Sequence, residues 1–410
     1  MKKLLLSAAS FAVVAVTAMV SAPTTSEAVP AYARQTGAAC LSCHFQSIPR
    51  LNAFGRNFRM NGHRDIGEQP LLEDDHMSLP ATLNASLLVK SQATFQSTAQ
   101  GGNVIDWPNE AAIWMGGRLS SNVGGTAEWG QDGAVTTKVF YVMDIDNGLI
   151  AVGGGMTDGL GANFMFNDPS NATSRPTRGW LSRPDFLDRA GVMTRAMTAF
   201  GAYGYFNDLI YVAVGGILPH DGFTGGAAPG AGQTMDFKLS PYLRAAITTE
   251  VAGLDTVAGI YYASVKHSQA NVTAFAYNAV ATATSIGVDL QLQGDVGDLS
   301  VGFYLPIQIK GERAASANAA GAITENAIGY APALNVAFGH LGVRVMYDYT
   351  KRKNDVAATA TTRKRTTIGG WYSIAQNVEL MVDWQSLRVT PTGGAATTTT
   401  QTVVTVEYVY

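Results

Sequence analysis

The stretch Leu341-Gly342-Val343-Arg344-Val345-Met346-Tyr347-Asp348-Tyr349 alternates strictly. Leu341, Val343, Val345, Tyr347 and Tyr349 form one set, and Gly342, Arg344, Met346 and Asp348 the other. Successive side chains of a strand point to opposite faces, so this is a β-strand with one apolar face and one face that holds charges. Val378, Leu380, Val382 and Trp384 alternate in the same way with Glu379, Met381, Asp383 and Gln385. Leu243, Ala245 and Ile247 alternate with Tyr242, Arg244, Ala246 and Thr248. A single segment of this kind fits a half-buried strand of a soluble domain as well as the wall of a membrane barrel. The number and punctuation of the segments separate the two.

About sixteen candidate strands begin near residues 81, 109, 122, 134, 148, 194, 208, 236, 253, 281, 297, 325, 340, 362, 377 and 400. Their connections alternate. Tight turns fall at Asp146-Asn147-Gly148, Asn207-Asp208, Ala252-Gly253-Leu254, Gly294-Asp295, Gly339-His340 and Gln376-Asn377. Longer polar or Gly/Ala/Thr-rich links lie between them, near 158–193, 219–235, 267–280, 312–324 and 391–399. Short turns on one side and long loops on the other are the organisation of an outer-membrane barrel, for which a soluble sandwich has no reason. The last segment, with Val404, Val406, Tyr408 and Tyr410 on one face, ends on an aromatic residue, as barrel proteins commonly do. The expected fold is therefore all-β: an antiparallel barrel of about sixteen strands over 81–410.

Composition agrees. The 410 residues are 47% hydrophobic but only 14% charged, include 44 glycines, and carry a formal charge of −3, a balance that implies no nucleic-acid partner. Lys2 and Lys3, an apolar run from Leu4 to about Val20 and the small residues up to Ala28 read as a secretory signal peptide over 1–28. No later stretch is continuously apolar for the roughly 18 residues that a membrane helix needs. An exported chain with this composition is expected in the outer membrane.

Residues 29–80 differ from the rest. Cys40-Leu41-Ser42-Cys43-His44 spells C-x-x-C-H and holds the only two cysteines of the chain. Two thiols one helical turn apart meet the two vinyl groups of one porphyrin, and the following imidazole turns onto the iron, so the motif is a c-type haem attachment site. A redox disulfide and half a zinc site are the alternatives. Cys40 and Cys43 would carry the thioethers of one covalent haem c, and His44 would be the proximal iron ligand. Met60, His63, His76 and Met77 are the candidates for the distal ligand, a thioether giving a higher potential than a second imidazole. Arg34, Arg56 and Arg59 could pair with the haem propionates or with inward carboxylates of the barrel wall. Leu51, Phe54 and Phe58 predict a helix of about ten residues between Pro49 and Gly62, and Phe45, Phe54 and Phe58 would pack on the haem and the core. Some fifty residues can wrap one haem and little else, which makes 29–80 a minimal cytochrome module of a size to plug a barrel. Because one haem cannot bridge the roughly 30 Å apolar core from below, the module is expected inside the barrel. An iron-loading site would need oxygen ligands, and Asp132, Asp158, Asp168, Asp185, Asp188 and Asp221 fall in expected outer loops, each more simply a solvated carboxylate.

The run Ala33-Arg34-Gln35-Thr36-Gly37, then C-L-S-C-H-F-Q, Pro49 and Leu51-Asn52-Ala53-Phe54-Gly55-Arg56-Asn57-Phe58-Arg59, resembles the N-terminal signature of the fused monohaem cytochrome-porins of iron(II)-oxidising bacteria. The likeness in motif covers about residues 31–62; over the barrel it is one of layout. The resemblance implies an outer-membrane electron-transfer oxidoreductase. It would take electrons from extracellular Fe(II) at the single haem and pass them to a periplasmic c-type cytochrome. A conduit for another extracellular redox partner and a haem-plugged transport porin are the competing functions of the same architecture.

Overall fold

The computed structural model describes residues 31–67, 69–75, 77–96, 102–131, 133, 135–158, 164–166, 196–218, 239–266, 280–317, 321–354 and 359–410. The signal peptide expected at 1–28 lies outside the described residues. The N-terminal region contains three short helices, α1 (Ala31–Thr36), α2 (Cys40–Cys43) and α3 (Ala53–Met60), and a two-stranded sheet of β1 (Leu71–Glu73) and β2 (Ser78–Pro80). The barrel follows: β3 (Ala85–Gln96), β4 (Val104–Arg118), β5 (Val123–Gly130), β6 (Val135–Ile145), β7 (Gly148–Asp158), β8 (Ala196–Phe206), β9 (Ile210–Leu218), β10 (Ser240–Val251), β11 (Leu254–Lys266), β12 (Val280–Val296), β13 (Leu299–Ala317), β14 (Gly321–Tyr330), β15 (Ala333–Phe338), β16 (Leu341–Asn354), β17 (Thr359–Ala375), β18 (Val378–Pro391) and β19 (Thr397–Val409).

Each strand pairs antiparallel with its neighbours, and β19 closes the ring on β3 through pairs such as Glu407 with Lys90. β14 and β15 both pair with β13 and β16, so they are two halves of one strand interrupted at Ala331-Pro332. Proline has no N–H to give the ladder, which is why the strand breaks there. The seventeen segments thus make sixteen staves. Every expected strand start lies within five residues of an observed one; the wall begins at Ala85 rather than near 81.

The burial pattern is inverted relative to a soluble sheet. On β16 the apolar Leu341, Val343 and Val345 are 57, 54 and 50% exposed, whereas Arg344 and Asp348 are 7 and 2% exposed. Leu243 and Ile247 on β10 and Val382 and Trp384 on β18 likewise face outward. The polar set faces the lumen, where Arg344 meets Asp383, Arg365 meets Asp348, Arg244 meets Asp289, and Lys90 bridges Glu110 and Glu407. Apolar side chains outside and paired charges inside are stable only if hydrocarbon surrounds the barrel. This polarity decides between the two readings that a single strand leaves open.

The C-x-x-C-H turn within the lumen

Cys40 and Cys43 are separated by one helical turn in α2 and so project from the same side of it. His44 ends that turn in an extended conformation, its N–H donating to the Cys40 carbonyl at 3.0 Å. The chain then doubles back. Phe45 N–H donates to Arg50 O at 2.8 Å, His44 and Leu51 form an antiparallel bridge, and Asn52 N–H donates to Cys43 O at 3.0 Å. Asn52 joins the turn to the next helix: its amide donates to Ser42 O, and its Oδ1 caps α3 by accepting from Gly55 N–H, both at 2.9 Å. A Cβ on Gly55 would stand 2.1 Å from Cys43 O, so only glycine allows α3 to approach this closely. The cap at Asn52 also explains why α3 has eight residues instead of the expected ten or so, Leu51 being engaged with His44.

This scaffold fixes the histidine. His44 Nδ1 lies 3.2 Å from the Arg50 carbonyl, which selects the tautomer protonated there and leaves Nε2 as the lone-pair nitrogen. Burial, with Arg59 and Arg50 nearby, pushes its pKa down to about 4, so the ring is neutral at pH 7. Burial pushes both thiols up, and both cysteines are free. A neutral, oriented imidazole beside two unoxidised thiols on one turn is the donor set that a covalent haem requires.

The plug is locked to the wall. Arg56 forms a two-pronged pair with Asp255 at 2.8 and 2.5 Å, and Gln293 bridges that carboxylate and the Leu51 carbonyl at 3.1 and 2.8 Å. Arg64 reaches Asp144 at 2.9 Å and Ser121 O at 2.5 Å. Gln46 donates to Ser300 O, Tyr203 to Met60 O, and Arg50 lies 5.1 Å over the Trp371 ring. Gln35, fully buried, donates to the carbonyls of His63 and Asp65 and accepts from Asn84 and from Arg118 N–H. Gly62 and Gly124 let the two backbones touch, since a Cβ on Gly124 would fall 1.9 Å from Gly62 O. All these wall residues lie within five residues of the short turns, which at about 3.3 Å per residue and a tilt near 40° is a height of about 13 Å. The plug therefore occupies the lumen at its short-turn end.

The other predicted residues divide clearly. Arg56 belongs to the wall clamp, the second of its two expected roles. Arg34 is half-buried on α1 and forms no ion pair with a described residue. Arg59 has partners, and its charge acts on both His44 and His63. Met60 is fully buried in the cluster with Phe140, Val142 and Tyr203. His63 adopts φ +59° and stacks on Tyr32 at 4.6 Å with Phe58 edge-on at 5.3 Å; its Nδ1 is buried with no hydrogen-bond partner. Met77 lies in the turn between β1 and β2, its N–H capped by Asp74. Phe58 is buried, Phe45 is half-buried, and Phe54, like Leu41, is exposed. His76, Asp132, Asp168, Asp185, Asp188 and Asp221 lie outside the described residues, and Asp158 is the last residue of β7. Among the described residues no group of three His, Cys, Asp or Glu side chains could hold a free metal ion. Asn52, Arg50 and Gln35 went unsignalled as plug determinants, except that Asn52 before an apolar helix is an N-cap signal.

No protein-family model and no curated protein sequence matches the chain. Among solved structures it is similar to the outer-membrane protein OmpT of Vibrio cholerae, with a TM-score of 0.52, 11% identity, and coverage of 80% of this chain and 99% of that one. It is similar to the outer-membrane channel DcaP of Acinetobacter baumannii, with a TM-score of 0.54, 12% identity, and coverage of 82% and 99%. Salmonella typhi OmpF, solved in complex with daunomycin, gives 0.51, 11%, and 83% and 100%. The chain thus has the fold of the outer-membrane porins.

Proposed function

We propose that the chain is an outer-membrane electron conduit that oxidises extracellular Fe(II) at one c-type haem held by Cys40, Cys43 and His44 and delivers the electron to a periplasmic c-type cytochrome. The observation that carries this reading is the carbonyl-oriented His44 directly after two free thiols on one helical turn, fixed inside a porin-type barrel. When bound, haem supplies a one-electron couple at its iron. The chain's own residues do the rest. Asn52 and Gly55 hold the attachment turn, Arg50 O orients the imidazole, and Leu41 and Phe54 offer exposed apolar surface beside the turn for a porphyrin to cover. Between His63 and Met60 as distal candidates, His63 is favoured, because its ring keeps a buried nitrogen without a hydrogen-bond partner while Met60 is packed into the wall.

The plug lies at the short-turn end, so Fe(II) would descend through the polar lumen to the haem there and leave by the same route as Fe(III). Short turns face the periplasm in barrels of this class, so the acceptor approaches the same end directly. Stopped-flow absorbance of the haem-loaded protein in detergent tests the reading. Mixing the oxidised form with Fe(II) at neutral pH is expected to produce the reduced haem bands rapidly. Reduction by dithionite but not by Fe(II) would sink the iron assignment.

The likeness to channel proteins favours one second reading, a transport porin plugged by its cytochrome module. It predicts substantial single-channel conductance, whereas a conduit clamped by Arg56 and Arg64 conducts ions poorly.

A further inference from the structure

The outward face carries a feature that the plug does not explain. Along β16 the lipid-facing residues run Leu341, Val343, Val345, then Tyr347, Tyr349 and Lys351. Tyr330 of β14 lies 5.3 Å from Tyr349 and 6.3 Å from Tyr347, ring to ring. Such tyrosines mark the membrane interface. From Leu341, paired with the exposed Tyr372, to Lys351 is about 33 Å along the strand and, at a tilt near 40°, about 25 Å in height, the span of a barrel's apolar band. Lys351 therefore stands at the interface on the long-loop side.

Two more cations stand beside it. Lys364 of β17 pairs with Tyr349, diagonal to Lys351, and directly faces Arg388 of β18. All three side chains are exposed. The outward positions next to them include Ile328, Lys353, Thr362, Ser386, Thr390 and Thr398, none of them acidic. Like charges directly opposed across a strand pair are destabilising, and here they cluster at the depth of lipid phosphates. Basic clusters at that depth recognise anionic headgroups.

We infer that Lys351, Lys364 and Arg388 form a site for the phosphate groups of a phosphorylated glycolipid of the lipid A type in the outer leaflet. The long-loop position selects that leaflet, and three cations on adjacent strands match a headgroup with more than one phosphate better than a phospholipid with one. The inference rests on the barrel's residence in the outer membrane with its long loops outside and is independent of the haem.

The folded protein in detergent would be titrated with bisphosphorylated lipid A, with lipid A stripped of phosphate, and with phosphatidylglycerol, and the retained lipid counted by native mass spectrometry. Bisphosphorylated lipid A is expected to bind at least about tenfold more tightly than either of the others. Replacing all three cations (Lys351→Gln, Lys364→Gln, Arg388→Gln) is expected to weaken it by about tenfold to a hundredfold. Lys364→Glu gives Arg388 an opposite partner, so this variant keeps the fold and is expected to lose the preference. Equal binding of the dephosphorylated form, tighter binding of phosphatidylglycerol, or full retention by Lys364→Glu would overturn the site. Heat-modifiable migration and flotation with vesicles report separately whether the barrel folds and inserts.

Discussion

The wall and the plug of this molecule are stabilised in opposite ways. Each stave of the wall is bonded on both flanks, and its outward positions repeat one instruction, an apolar residue facing lipid, many times over. The plug has helices of six, four and eight residues, all shorter than the roughly 12–15 residues an isolated helix needs in water. Its own core is little more than Tyr32, Phe58 and His63. It holds its shape because single contacts, such as Arg56 with Asp255 and Gln35 with four partners, tie it to the wall. Stability is distributed in the wall and concentrated in the plug, so one substitution in the plug should do what no single substitution in the wall does.

The sharpest separation is expected from removing both thiols. Cys40→Ser with Cys43→Ser should abolish covalent haem, read as complete loss of haem staining after denaturing electrophoresis, while the barrel keeps its heat-modifiable migration. Loss of barrel folding in that variant would mean that the two regions are not independent. Arg56→Ala comes next. It leaves the partly exposed Asp255 with the Gln293 amide as its only remaining partner among the contacts named above, at a cost of about 2 kcal/mol to docking of the plug, or about thirtyfold in the undocked population. Protease cleavage within residues 31–67 and single-channel conductance should both rise, with Arg56→Lys restoring only part because a lysine cannot form the two-pronged pair. Unchanged cleavage would show that the clamp is dispensable.

The same contrast explains what could be read from the sequence. Period two needs no knowledge of partners, so Leu341 to Tyr349 announces its strand and its two faces alone, and sixteen such segments with alternating connections define the barrel. The C-x-x-C-H motif is equally local: the haem attachment proposed for Cys40, Cys43 and His44 would act within one turn, so it can be read without knowing any distant partner. What could not be read depends on distant pairing. Nothing near Arg56 points to Asp255, 199 positions further on, and so propionate and wall remained equal expectations for it. Gln35 stands in the signature stretch but gives no sign of its role as a tie to the wall, since a glutamine satisfying four backbone and side-chain partners looks like any other. The depth of the plug follows from these same long-range contacts and was equally silent.

The smallest expected effect tests the plug against pH. It is best measured on the double Cys→Ser variant, where no iron competes for the His44 nitrogen. Burial holds His44 near a pKa of about 4 in the docked plug, against about 6.5 once it is exposed. His63 is also pushed well below the ordinary range by burial, with Lys138 and Arg59 adding to the effect. The undocked, solvated plug therefore binds more protons than the docked one between pH 6.5 and 4, so docking weakens as pH falls through that window and is unaffected above it. From pH 7.5 to 5.5 His44 alone should cost about 1 kcal/mol, read as faster amide hydrogen exchange across 31–67 after correction for intrinsic rates. Strands β16 to β18, which contain neither histidine, should exchange at unchanged corrected rates. His44→Gln should flatten much of the pH dependence in the plug. If it does not, the remaining slope belongs to His63, and a slope that survives both substitutions would mean that burial of these two rings is not what couples the plug to protons.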